Sequence, residues 1–309
     1  MQKPVILKRR EIDEPAWNRC IQMAPHSLTY AFTWYLDAVC GNRWDALVYG
    51  NYDAVMPLPV NQKYGIRYLY QPYFCQQLGL FGPHELLPLF LEEIRKKYKY
   101  ADICLHTETT ALPGIPDVRK TYWLSLNPPY SELCKNYNAD ARKNLRRLEK
   151  QYGRLKLESD PDFNRIIDLY SAYLNPKKVS SGFGGLLNKI KPIHYNRFNS
   201  AMEEAASHGL AEGYCLKGEN GMEVAAGIFL RSRNHYHLLC GFPTGAKNAL
   251  HGLIDCFIAK NAESNLILDF AGSEIPEVAF FLEKFGSFPR PYFHWKWNNL
   301  PAVVRWLKP

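Results

Sequence analysis

The sequence predicts an α/β protein of two similar halves, each a mixed, mostly antiparallel sheet flanked by helices. Three observations carry this. Some stretches repeat apolar residues at helical spacing, while others alternate or run apolar over a few residues as strands do. The order of these stretches (helices, strands, a Gly/Pro loop, a helix, a strand) occurs twice. And 309 residues is long for a single core.

Composition bounds the function before any motif is read. Apolar residues make up 47% of the chain and charge is mixed, which describes a globular protein. The net charge of +8 favours an anionic partner without choosing among phosphate, nucleotide, nucleic acid or membrane surface. The eight cysteines form no CxxC pair, and most sit in apolar runs. That pattern fits free thiols in a reducing, cytoplasmic setting better than a disulfide framework. Residues 1–10 lack the apolar core of a signal peptide. No apolar run approaches the ~20 residues of a spanning helix.

In the first half, Pro15 begins a helix with Trp17, Cys20, Ile21 and Ala24 on one face. Phe32, Tyr35, Leu36 and Val39 repeat the spacing, and Gly41 ends that second helix. The period then changes. Trp44–Tyr49, Ala54–Val60 and Ile66–Tyr70 read as consecutive strands, with turns at Gly50-Asn51 and Lys63–Gly65. Gln71–Leu80 reads as a loop or a bulged strand. Gly82-Pro83 introduces a helix from Leu86 to about Tyr98, and Asp102–His106 is a strand.

Between the halves, Leu133, Tyr137, Ala141, Leu145 and Leu148 form an apolar stripe. Arg142, Lys143, Arg146, Arg147 and Lys150 fill the opposite face. Asp160-Pro161 starts another helix. Asn175–Gly185 reads as a flexible loop and Pro192 opens a helix to about Ser207. The first-half order then returns: strands Ala211–Lys217, Val224–Arg231 and His235–Phe242, a loop, a helix and the strand Leu266–Phe270. The boundary falls at 128/129. After the second half's closing turn, Pro276 opens a helix with Val278, Phe281, Leu282 and Phe285 inside and Gly286 as its stop. Pro291–Trp297 is a last strand, and Leu300–Leu307 a short aromatic helix.

The run from His235 to Gly272 organises the rest. Pro243, Thr244 and Gly245 break the strand before them. Leu250, Leu253, Ile254, Phe257 and Ile258 then mark the buried face of a helix. Where the loop enters that helix, free backbone N–H groups and partial positive charge make a natural anion site.

The segment DFAGSEIPEVAFFLEKFG, from Asp269 through Phe270, Gly272, Ser273, Phe281 and Phe285 to Gly286, resembles the closing segment of Fem-type (FemAB-like) proteins of the GNAT superfamily. The basic helix DARKNLRRLEKQYG at 140–153 is similar to one in the same proteins, and the doubled element order fits their tandem-GNAT architecture. The resemblance implies an N-acyltransferase. It moves an acyl group from coenzyme A, or an aminoacyl group from tRNA, to an amine on a small molecule or peptide by direct attack. It also implies that the two central strands of the second half splay apart around the donor. A backbone N–H there stabilises the oxyanion, while the first half carries a degenerate donor site. Donor contacts fall to Gly241, Thr244, Gly245, Ala246, Lys247 and Asn248. The loop PTGAKN departs from the usual Gln/Arg-x-x-Gly-x-Gly/Ala pattern by lacking the leading Arg or Gln. A catalytically degenerate binding or scaffold protein is therefore the rival reading, and an RNA-binding module using the basic helix is a third.

An attacking amine of pKa near 10.4 costs about 4–5 kcal/mol to deprotonate at pH 7, so a base or a water relay is expected. Asp269 is the first candidate, with capping of the Gly272-Ser273 turn as its alternative role. Glu274 is a second candidate. His235 and His237 share a strand face and suit a proton relay; without a carboxylate or thiol nearby in sequence they make no metal site. Tyr236 and Tyr292 offer a phenol to position substrate or protonate the leaving group, or simply pack. Lys177 and Lys178, on the Asn175–Gly185 loop, are placed to contact an anionic substrate from a lid. Gln76 and Gln77 occupy the equivalent loop of the first half, lining a cleft or satisfying buried backbone.

Overall fold

The computed structural model describes residues 2–107, 117–174, 190–272, 275–302 and 305. The chain forms two compact units: Met1–Arg119 with Pro291–Pro309, and Lys120–Arg290.

In the first unit, β1 (Val5–Lys8) leads to α1 (Glu14–Met23). Asp13 accepts the Ala16 N–H at 3.0 Å and Pro15 fills the first turn, so the helix starts where the sequence places it. Trp17 and Ile21, one turn apart, are fully buried. The second helix, α2 (Thr33–Cys40), stops at Gly41, whose φ of 59° gives the left-handed cap. Strands β2 (Trp44–Tyr49), β3 (Ala54–Lys63) and β4 (Ile66–Tyr70) follow as an antiparallel meander. Then α3 (Leu87–Lys97), burying Leu87, Phe90, Leu91 and Ile94, crosses over to β5 (Tyr100–Leu105), which runs parallel to β4.

The second unit begins within β6 (Asp117–Ser125), followed by α4 (Tyr130–Lys135), α5 (Ala139–Tyr152), β7 (Lys156–Ser159), α6 (Phe163–Tyr173) and α7 (Pro192–Ser207). Its meander is β8 (Ala211–Lys217), β9 (Glu223–Ser232) and β10 (His235–Pro243). The crossover is α8 (Ala249–Asn261), leading to β11 (Ile267–Asp269) parallel to β10. Finally α9 (Pro276–Glu283) precedes β12 (Phe288–Asn298).

Strand order is β1-β2-β3-β4-β5-β12 in the first unit and β7-β8-β9-β10-β11-β6 in the second. Each is antiparallel except for one parallel pair, β4/β5 or β10/β11. The duplication read from element order is therefore a duplication of topology. The chain's last strand returns to close the first sheet, while β6, where the second unit begins, closes the second. The units therefore divide within β6 and again at Arg290/Pro291, and not by a single cut at 128/129. Strands β1, β6 and β7 are absent from the sequence expectation, and the remaining strands agree within a few residues.

Each unit has its own core. Phe90, Ile94, Met56, Leu58 and Trp295 anchor the first. Phe229, Phe257, Leu253, Leu268 and Phe285 anchor the second, with the Phe229 and Phe257 rings stacked at 3.6 Å. All eight cysteines are free thiols. Burial pushes Cys240 up to about 12, which makes it inert packing rather than a nucleophile. Among the described residues, no helix is long and apolar enough to cross a membrane.

Candidate functional site

The central feature of the second unit is where β10 and β11 stop pairing. Their parallel register runs His235–Ile267, Tyr236–Leu268 and His237–Asp269. There β11 ends, while β10 continues to Pro243 against β9 alone. Just beyond the last pair the β9–β10 register slips between Leu238 and Cys240. Leu239 is thus an extra residue with no ladder partner. A bulge adds twist and turns the strand away from its neighbour, so the slip is the local cause of the parting. Helix α8 packs close behind this point. A Cβ at Gly227 would lie 2.8 Å from the Cys240 carbonyl and 2.9 Å from Leu253 Cδ2.

The loop after β10 leads directly into α8. Gly245 has a φ of +143°, and a Cβ there would meet nothing within 4 Å. Its backbone is therefore open to approach and its conformation favours glycine. Ala246 is buried and Lys247 exposed. Asn248 sits left-handed (φ 66°, ψ 6°) at the start of α8 and makes no side-chain cap. Thr244 donates its N–H to the Val224 carbonyl at 2.9 Å, while its hydroxyl is buried with no partner among the described residues. Gly241, Thr244, Gly245, Ala246, Lys247 and Asn248 thus lie along one continuous segment, from the bulged strand to the helix N-terminus.

Asp269 sits at the vertex with 1% exposure, and donors reach both its oxygens. The Thr121 hydroxyl and the Ala271 N–H (2.9 Å) donate to Oδ1. The Trp123 indole N–H donates to Oδ2 at 3.1 Å, and His237 Nδ1 lies 3.4 Å from the same oxygen. Burial raises the carboxyl's pKa, but His237, Thr121 and the Ala271 N–H outweigh it, and the group is held below its ordinary value. The buried His237 ring is bracketed on its other side by Ser232 Oγ, 3.0 Å from Nε2. Burial and the neighbouring His237 drive His235 down to about 4. Its ring packs 4.6 Å from that of Trp123, and its buried Nε2 has no hydrogen-bond partner among the described residues.

Asp269 therefore plays the turn-capping part, through the Ala271 N–H, and also braces His237. Thr121, Trp123 and Ser232 complete this cluster and were not singled out from the sequence. Of the remaining candidates, Tyr292 is buried on β12 and belongs to the first unit. Gln77 is also there. Its Oε1 accepts the Thr107 N–H at 3.0 Å and its amide donates to Gln76 at 2.9 Å, so it satisfies buried backbone. Glu274, Lys177, Lys178 and the rest of the 175–185 loop lie outside the described residues, as does half of the expected helix at 300–307. Among the described residues, no group of three or more His, Cys, Asp or Glu is arranged to hold a metal ion.

No protein-family model and no curated protein matches the chain. Solved structures do. FemX aligns over 96% of this chain and 98% of its own, at TM-score 0.65 and 11% identity. A conserved protein of unknown function from Bacteroides thetaiotaomicron aligns over 95% of this chain and 99% of its own, at 0.57 and 13%. The C-terminal domain of a putative lysylphosphatidylglycerol synthetase from Agrobacterium fabrum aligns over 96% and 94%, at 0.50 and 11%. The chain thus shares the α/β fold of FemX.

Proposed function

We propose that the chain is an acyl- or aminoacyltransferase whose donor is held by the second unit and whose acceptor is an amine. The observation that carries this is the parting of β10 from β11 at His237–Asp269, with the Leu239 bulge at its edge and the α8 N-terminus beyond it. A carrier lying between the strands places its carbonyl beside the bulged backbone. The Leu239 region then supplies an N–H to the oxyanion as the amine attacks. The new C–N bond forms, the carbon–sulfur or carbon–oxygen bond to the carrier breaks, and the proton lost by the amine goes to the departing thiolate or alkoxide. The carrier's phosphates meet Gly245–Asn248 and the start of α8, where unpaired N–H groups and the helix dipole favour negative charge. Lys247 adds a charge-assisted contact.

Asp269 is a positioning residue in this reading. A carboxylate with donors on both oxygens, and with its acidity increased, is a poor base for an ammonium group. Its role is to fix the vertex and the orientation of His237. Coenzyme A thioester and aminoacyl-tRNA both suit the site as donors, and the alignments with FemX and the synthetase domain favour the aminoacyl form. Calorimetric titration with acetyl-CoA and with a non-hydrolysable aminoacyl-RNA minihelix tests the proposal. One of the two binds, and Lys247→Ala weakens it. Binding of neither removes the donor site and makes a scaffold role the better account.

A further inference from the structure

We propose that the first unit carries a separate anion site for a small phosphorylated molecule, in a cleft at the end of its sheet away from the point where β4 and β5 part. The cleft has a volume of about 580 Å³ and is lined by Lys8, Arg9, Arg10, Arg43 and Arg67, with Asp45 as its one acidic side chain. These cations come from the end of β1, the turn before β2 and the start of β4. Strand β4 runs from Ile66 to Tyr70 and leaves β5 only after Tyr70, so Arg67 marks the opposite end.

The arrangement is built from the floor upward. Asp45 is buried, and it accepts from Lys8 Nζ at 2.8 Å, Arg67 Nη2 at 2.8 Å and the Tyr98 hydroxyl at 2.7 Å. One carboxylate thereby aims two cations into the cleft. Arg9 is held by Asp37 at 2.5 Å and Glu14 at 2.8 Å, with its guanidinium over the Trp44 ring. Arg10 and Arg43 are exposed and have no acidic partner among the described residues. Four carboxylates stand near these five cations: Asp45, Asp37, Glu14 and Glu11, which accepts the Lys8 N–H at 2.7 Å. Arg10 and Arg43 are the cations left for a ligand, and guanidinium forks bind phosphate in bidentate fashion. The volume exceeds that of an inorganic ion and falls among small-molecule clefts, so the phosphate is attached to a compact organic group.

This site is independent of the donor site in the second unit, and its test is chosen to fail separately. Inorganic pyrophosphate is titrated into the wild-type chain, into the Arg10→Gln, Arg43→Gln double variant and into Lys247→Glu. A short single-stranded RNA serves as a parallel probe. Both arginines are exposed, and an unchanged Tm of the double variant verifies its fold. Each arginine removed weakens the first-unit component of pyrophosphate binding about tenfold, while Lys247→Glu leaves that arginine-dependent component in place. Four results overturn the proposal. Pyrophosphate binds no tighter to wild type than to the double variant, or fails to bind at millimolar concentration. Lys247→Glu abolishes binding, which places the anion at the α8 loop. RNA binds through the same arginines more tightly than pyrophosphate, which makes the cleft a nucleic-acid surface.

Discussion

The two units share strand order and a parallel central pair, and they differ at the place where that pair ends. In the second unit, no ladder pair follows His237–Asp269 among the described residues. In the first, the pairing Leu69–Ala101 and Tyr70–Asp102 is followed by a stitched gap. Gln71 N–H donates to the Asp102 carbonyl at 2.9 Å, and Gln71 Oε1 accepts the Cys104 N–H at 3.0 Å. The chain then returns, so that Leu78 N–H donates to the Cys104 carbonyl at 2.9 Å and Leu78 bridges Leu105. Gln77 covers the Thr107 N–H beyond. The first unit fills the opening with its own backbone and amides. A buried polar edge must be satisfied by something, so a loop insertion here removes the opportunity for a ligand to satisfy it.

The carboxylates at the two vertices extend the comparison. Asp102 and Asp269 hold the same register position, opposite Tyr70 and His237. Each is gripped from the sixth strand, Asp102 by His294 at 2.7 Å and Asp269 by Thr121. The first-unit version is a cluster of charged groups, in which His294 Nδ1 also lies 2.5 Å from Asp117 Oδ2 and 3.1 Å from Arg119 Nη2. The hydrogen bond to Asp102 raises the His294 pKa. In the second unit the Thr121 hydroxyl and the Trp123 indole supply the grip from the sixth strand.

The largest effect expected from breaking this comparison is at Asp269. Asp269→Ala removes the acceptor shared by Thr121, Trp123 and the Ala271 N–H and costs about 3–5 kcal/mol in urea unfolding. Asp102→Ala costs about 1–2 kcal/mol, since His294 keeps Asp117 and the site is half-exposed. Equal losses would mean that the vertices are equivalent. Next, Gln71→Ala unstitches the first unit and costs about 1–3 kcal/mol, with donor affinity unchanged.

The pH response is expected to be smaller and to separate the units by sign. His294 has a raised folded pKa, so its contribution is full below the ordinary 6.5 and is lost as pH rises through the folded value. His106, which burial drives to about 3, and His235, at about 4, contribute in full above 6.5. Their contribution declines as pH falls below 6.5 and is gone once the folded values are reached. The first unit therefore weakens in both directions through its histidines, and the second only towards acid. Melting the wild type and His294→Gln between pH 5 and 9 checks this: the alkaline loss disappears in the variant. The smallest effect is at Lys247, where alanine weakens donor binding about tenfold and shifts stability by less than about 0.5 kcal/mol.

Much of this architecture was legible in the sequence because its signals are local. The switch between helical and strand periods located the meanders. Gly41, Pro192 and Pro276 punctuate their helices, and the 235–272 run announced strand, loop, helix and strand. Strand β6 was missed because its first half, Asp117–Lys120, is charged and exposed; only Thr121–Leu124 is buried. That omission hid the site's chemistry, since Thr121 and Trp123 lie 148 and 146 residues from Asp269. Asp269 stood out in the sequence as a candidate base or turn cap. Its saturation by donors was not readable, because those donors come from strand pairing and not from chain proximity. The same holds for the return of the last strand to the first unit, which leaves no trace in the spacing of residues.

Hydrogen exchange followed by mass spectrometry, with and without acetyl-CoA and the non-hydrolysable aminoacyl-RNA minihelix, tests the central asymmetry most directly. The donor that binds is predicted to protect residues 238–250 and to leave 71–78 unchanged. Protection at 71–78, or at neither segment with both probes, would contradict the assignment of an open donor site to the second unit and a closed one to the first.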